Sequence, residues 1–165
     1  MFRNFIIQLL ATFFGVIFAF SLSYWYDNYK NKKLIISQII FLLSEIKTNN
    51  VTIKQLRGGL EGGFTLDRLQ DDSVDTLMRN PKLFSIHKKN LDFIRKIIIY
   101  KKVVCIGNRM IDSCYENYKD GLWAIYPENK KNQVKILNEK LDKVIYVANQ
   151  IDGLAFIIKL KKVKI

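Results

Sequence analysis

From Phe5 to Trp25 the chain reads FIIQLLATFFGVIFAFSLSYW, 21 residues without a charge. Coiled as a helix, this run is about 31 Å long, close to the thickness of a bilayer's hydrocarbon core. Tyr24, Trp25 and Tyr26 stand at its end and Lys30, Lys32 and Lys33 lie just beyond, in the order of an aromatic belt and a basic flank at a membrane surface. The pattern predicts a transmembrane helix over residues 5–26. The lysine cluster outweighs Arg3, so the positive-inside rule predicts an external tail over 1–4. Residues 27–165 are then a cytoplasmic helical domain with a basic C-terminal tail. Two rivals stay open. A secretory signal could be cut at Ser21-Leu22-Ser23, although the run is long for one, and Arg3 pulls toward the opposite topology.

Within the span, Ala11, Gly15, Ala19 and Ser23 recur every fourth residue. That spacing stacks small side chains on one helix face, where a second helix backbone can come close. Gln8 and Thr12 lie beside this face, and a glutamine amide in hydrocarbon gains from a partner across a helix pair. These six residues form the expected oligomer interface in the span. Small residues are also common in spans that make no such contact.

No Gly or Pro interrupts Asp27 to Arg57, which as a helix would run about 46 Å. Ile35, Ile39, Leu42, Ile46, Asn49, Ile53, Leu56 and Leu60 alternate spacings of four and three. This is the helical seam of a coiled coil or a tight helical bundle, with Asn49 as the polar member that fixes register. Ile36, Ile40 and Leu43 widen the stripe, so packing of an amphipathic helix on its own domain explains it equally well.

The run GGLEGG, Gly58 to Gly63, predicts the end of that helix and a turn. A phosphate cradle is excluded there, since no Gly-Lys-Ser/Thr follows. Asp72 or Ser73 is the expected N-cap of a short helix over VDTLM, which Asn80-Pro81 closes. Phe93, Ile97, Tyr100, Val104, Ile111, Tyr115 and Tyr118 fit a helix face with one slip near Gly107. The β-branched residues of KIIIYKKVVCIG leave 97–106 open between helix and strand. GLWAIYPEN reads as a loop plugged by Trp123 and Tyr126. Val134, Leu137, Leu141, Val144, Ala148 and Ile151 hold a helical stripe that Gly153 ends. Residues 154–165 are open between helix and strand. Their Lys159, Lys161, Lys162 and Lys164, with Lys30, Lys32 and Lys33, are expected to face an anionic inner leaflet, or else to lie in water on a packed terminal element.

Composition sharpens this picture only in part. Hydrophobic residues make up 49% and charged residues 25% of the 165, which excludes a disordered chain and a multi-span transporter. The net charge of +12 is spread along the chain apart from an acidic island from Glu61 to Asp75. Such a field favours anionic partners, either membrane lipids or nucleic acid, and no nucleic-acid-binding module accompanies it. Cys105 and Cys114 are nine residues apart, so on one helix they point to opposite faces and cannot bridge. Two unpaired thiols suit a reducing compartment.

Motifs for chemistry are missing. His87 is the sole histidine, and with Asp71, Asp72 and Asp75 it makes a poor metal set. No Gly-x-Ser-x-Gly and no His-Glu-x-x-His occurs. Arg79 and His87 are similar to the Arg-x4-6-His signature of HEPN ribonucleases, but seven residues separate them and Pro81 breaks the helix. The expectation is a protein with no catalytic residue, no cofactor and no metal.

The junction AFSLSYWYDNYKNKKLIISQIIFLLSEIKTNN resembles a plan shared by many small prokaryotic proteins over about residues 10–55. These have one N-terminal span, a Trp-containing aromatic and basic junction, and a long following helix. Single-span proteins of antiviral systems that oligomerise and perturb the membrane share it, and the resemblance implies architecture only. The sequence therefore predicts a mainly α protein in which a single N-terminal transmembrane helix continues into a cytoplasmic helical bundle. Its expected role is non-enzymatic: a membrane-anchored protein that self-associates as a membrane effector or pore-forming subunit. The alternatives are a scaffold that recruits a cytoplasmic partner, or a membrane-tethered nucleic-acid or nucleotide binder.

Overall fold

The computed structural model describes residues 2–62, 64, 66–80 and 91–160, and these are mainly helical, with no strand among them. His87, Pro81, Gly63, Lys161, Lys162 and Lys164 lie outside the described residues. Among the described residues five helices follow in order: α1 Phe2–Gly62, α2 Asp72–Met78, α3 Leu91–Lys119, α4 Leu122–Ile125 and α5 Pro127–Leu160. The chain forms two compact units, Met1–Ser37 and Gln38–Ile165. The first contains only the N-terminal part of α1. Its apolar residues have no other element of that unit to pack on.

In the second unit the core is built from three stripes with the same rhythm. On α1 the residues Ile39, Leu42, Ile46, Asn49, Ile53, Leu56 and Leu60 are buried, as is Ile35 before them. On α3 the buried row is Phe93, Ile97, Tyr100, Val104, Gly107, Ile111 and Cys114. On α5 it is Leu137, Leu141, Val144, Ala148, Ile151 and Ala155. Spacings of four and three keep one side chain per turn on the same face, which is why each helix has one dry side. A fully buried Leu or Ile contributes about 1.5–3 kcal/mol relative to exposure.

Long-range contacts give the directions. Asn80 Nδ2 donates to Gln38 Oε1 at 3.0 Å, and Asn49 binds Gln70, so residues 70–80 run back along α1. Asn49 meets Tyr100, while Phe64 lies against Tyr115 and Tyr118, so α3 runs parallel to α1. Val144 lies beside Gly107 while Trp123, just before α5, lies against Phe64 and Tyr118, so α5 runs antiparallel to both.

Several local expectations are corrected. The slip at Gly107 is absent: Gly107 itself occupies the buried position, where a Cβ would lie 3.4 Å from Leu69 Cδ1. The β-branched run 97–106 is helix, because Ile97, Tyr100 and Val104 fill the core at helical spacing. α1 ends at Gly62, within the Gly58–Gly63 run as expected, with Gly58 and Gly59 still helical, whereas Gly153 lies inside α5. A helical glycine costs about 1 kcal/mol, less than the packing of the flanking buried residues returns. The N-cap of α2 is Asp71, without a side-chain bond. In the segment after α3, Gly121 takes φ 71°, a left-handed turn natural to glycine, and Trp123 plugs the core. Tyr126 is exposed rather than a plug, and Pro127 opens α5. Tyr118 is also exposed.

Residues 66–71 cross between α1 and α3 without regular structure, and two asparagines hold them. Asn108 Oδ1 accepts from Leu69 N–H at 2.8 Å while its Nδ2 donates to Leu69 O at 2.9 Å. Asn49 does the same for Gln70, at 2.8 Å in both directions, and its Nδ2 also donates to the Tyr100 hydroxyl at 2.8 Å. Asn49→Ala is expected to lower unfolding stability by about 3 kcal/mol, since it strands the buried Tyr100 hydroxyl and the Gln70 peptide groups. Thermal melts followed by circular dichroism test this, and Asn49→Leu, although apolar, should not rescue it.

Candidate functional site

The most apolar window of α1 is the surface that sets this chain apart. One helix among the described residues is long and apolar enough to cross a membrane, and nothing in that window is buried. Phe14, Phe18, Phe20, Tyr24 and Trp25 are all well exposed, Phe20 at 73%. Soluble proteins rarely present a continuous apolar surface of this extent. The Thr12 hydroxyl donates to Gln8 O at 2.9 Å, which satisfies it within its own helix. The Gln8 side-chain amide has no partner among the described residues. Gln8, Leu9, Thr12, Phe13 and Val16 frame a surface hollow. Ala11, Gly15, Ala19 and Ser23 are exposed, and a Cβ on Gly15 would meet nothing within 4 Å. Trp25 stacks on Tyr29 with centroids 6.1 Å apart, and Lys30, Lys32 and Lys33 follow, all three exposed. Lys159 falls on the last turn of α5.

Within Gln38–Ile165 the buried polar groups gather at the start of α2. Glu45 is 3% exposed; its Oε2 accepts from Ser73 N–H at 2.9 Å, and its Oε1 has no partner. Burial pushes the carboxyl above its ordinary 4.5, the Ser73 bonds pull it back, and Asp71 and Asp72 add to the push. Burial also drives the Tyr100 hydroxyl up to about 12, against the lowering effect of Asn49. Both groups therefore hold their protons more firmly than usual. Among the described residues no group of three or more His, Cys, Asp or Glu is placed to hold a metal ion.

Two features escaped the sequence reading. Arg68 pairs with Asp112 at 2.9 Å and Lys101 pairs with Asp75, so the acidic island is tied to α3 and is not a free patch. On α3, Leu91, Ile98, Ile99 and Ile106 are exposed among Arg95, Lys102 and Arg109, which have no acidic partner among the described residues. The mixed apolar spacing of this segment was the available signal: it marks a helix with apolar residues on two faces. The thiols are separated as expected, Cys105 exposed and Cys114 buried, where burial raises its pKa to about 11.

Two measurements follow. A maleimide should label Cys105 within minutes and Cys114 only after denaturation. For Glu45 the folded state holds its proton more tightly than the unfolded state, so this group's contribution to stability falls as pH rises from 4.5 through its raised value. Glu45→Gln should flatten that part of the pH profile of the melting temperature; an identical slope in the variant would rule out Glu45 as its source.

Compared with protein-family models, curated proteins and solved structures, this chain matches none.

Proposed function

We propose that this is a non-enzymatic, membrane-anchored protein that self-associates through α1 and acts as a membrane effector or pore-forming subunit. The observation that carries the reading is the most apolar window of α1, in which no residue is covered by the chain's own fold. A buried core helix would be covered, and leaving such a surface in water would cost about 25 cal/mol for each Å². Lipid removes that cost. Lys30, Lys32 and Lys33 then favour a cytoplasmic location for the helical domain, a helical bundle on the inner face. Continuation of α1 from the span into the buried seam argues against a removable signal segment.

Self-association rests on the row Ala11, Gly15, Ala19 and Ser23 and on the unpartnered Gln8 amide, which hydrocarbon leaves without water. The full-length protein in mild detergent should run as a defined multimer. Gly15→Ile should shift it to smaller species without affecting the monomer, because that position is open on all sides. An unchanged size would remove the span interface. Induced expression should collapse the membrane potential, and Gly15→Ile should restore it.

A scaffold role is the second reading, favoured by the α3 face on which Ile98 and Ile99 stand exposed among three free cations. An acidic amphipathic partner would complement it. A stable multimer with an intact membrane potential would favour the scaffold over the pore.

A further inference from the structure

Arg57 Nε and Asn138 Oδ1 are shut from solvent without a hydrogen-bond partner, and both residues line one groove. It lies between the end of α1 and the first turns of α5, with a volume of about 500 Å³. Lys130 and Lys131 supply two further cations, and Leu60 and Val134 form its apolar part. Buried polar atoms left single in a native fold call for water or a ligand.

The charges point to the ligand. Arg57 Nη2 binds Asp142 Oδ1 at 2.6 Å and Asn138 O at 3.4 Å, but the Asp142 side chain is 67% exposed, so that ion pair is weak. Lys130 Nζ stands 5.6 Å from the Trp123 ring centroid, and Lys131 has no acidic partner among the described residues. Three cations around one groove match a dianion with several acceptor oxygens better than a single carboxylate. Leu60 with Val134 can cover an apolar or flat body. The volume is that of a small-molecule site. We infer that the groove between α1 and α5 binds a small phosphorylated organic molecule, its phosphate between Arg57, Lys130 and Lys131. This does not depend on where the apolar part of α1 resides.

Trp123 is a built-in reporter. In the full-length protein in detergent, Trp25→Phe leaves Trp123 as the sole tryptophan. Pyrophosphate is titrated as the probe of the phosphate subsite, against sodium chloride at matched ionic strength, with ³¹P line broadening as a second readout. A saturable change in both signals is expected. Uridine diphosphate should bind more tightly than pyrophosphate, through its added ring on Leu60 and Val134. Lys130→Gln with Lys131→Gln should weaken both by about tenfold or more. Arg95→Gln with Lys102→Gln, the same charge loss on α3, should leave them unchanged. No saturable response to pyrophosphate overturns the inference, as does equal weakening by the α3 pair. Uridine diphosphate binding no tighter than pyrophosphate overturns the organic half.

Discussion

A chain segment without helix or strand has no ladder for its peptide groups, and residues 66–71 run between packed helices where unpaired groups are costly. The side-chain amides of Asn49 and Asn108 stand in for that ladder, each returning one donor and one acceptor to consecutive residues. The arrangement locks three parts of the fold at once. It fixes the height of α1 against α3 through Tyr100, sets the path of the strap, and delivers Ser73 to Glu45. The segment is further tied to α3 by Arg68 with Asp112 and by Lys101 with Asp75.

The seam on α1 was legible because it is periodic, and periodicity needs only the local chain. So was the stripe on α5. The row on α3 was obscured by Gly107, whose lack of a side chain removes its hydropathy signal while the backbone keeps its turn. The run of Ile97, Ile98 and Ile99 left helix and strand open because intrinsic propensity cannot see that only Ile97 is needed inside. The end of α1 does fall within the Gly58–Gly63 run, whereas a helix end was misplaced at Gly153, where glycine's local cost of about 1 kcal/mol is overridden by distant packing. Asn49 stood out in sequence as the odd member of its seam, yet its partners Gln70 and Tyr100 are distant in sequence and nothing local announces them. The groove at Arg57 and Asn138 was invisible for that reason too.

The two units present opposite solutions to the same constraint. In Gln38–Ile165 apolar stripes cover one another, and Asn49 and Asn108 bond the strap at close range. From Ile6 to Leu34 the apolar residues are exposed on a single helix whose backbone is satisfied internally, a form compatible with a hydrocarbon solvent. Polar side chains there, such as Thr12, turn back to their own helix.

Leu69 reaches the space that a side chain on Gly107 would fill. The core row of α3 is thus completed by a residue borrowed from the strap, a segment that would ordinarily be the first to open. Detaching the strap would leave a cavity in the core, so it cannot fray as an independent loop. Its opening is bound to the cooperative unfolding of the helices, and the irregular stretch shares the lifetime of the core.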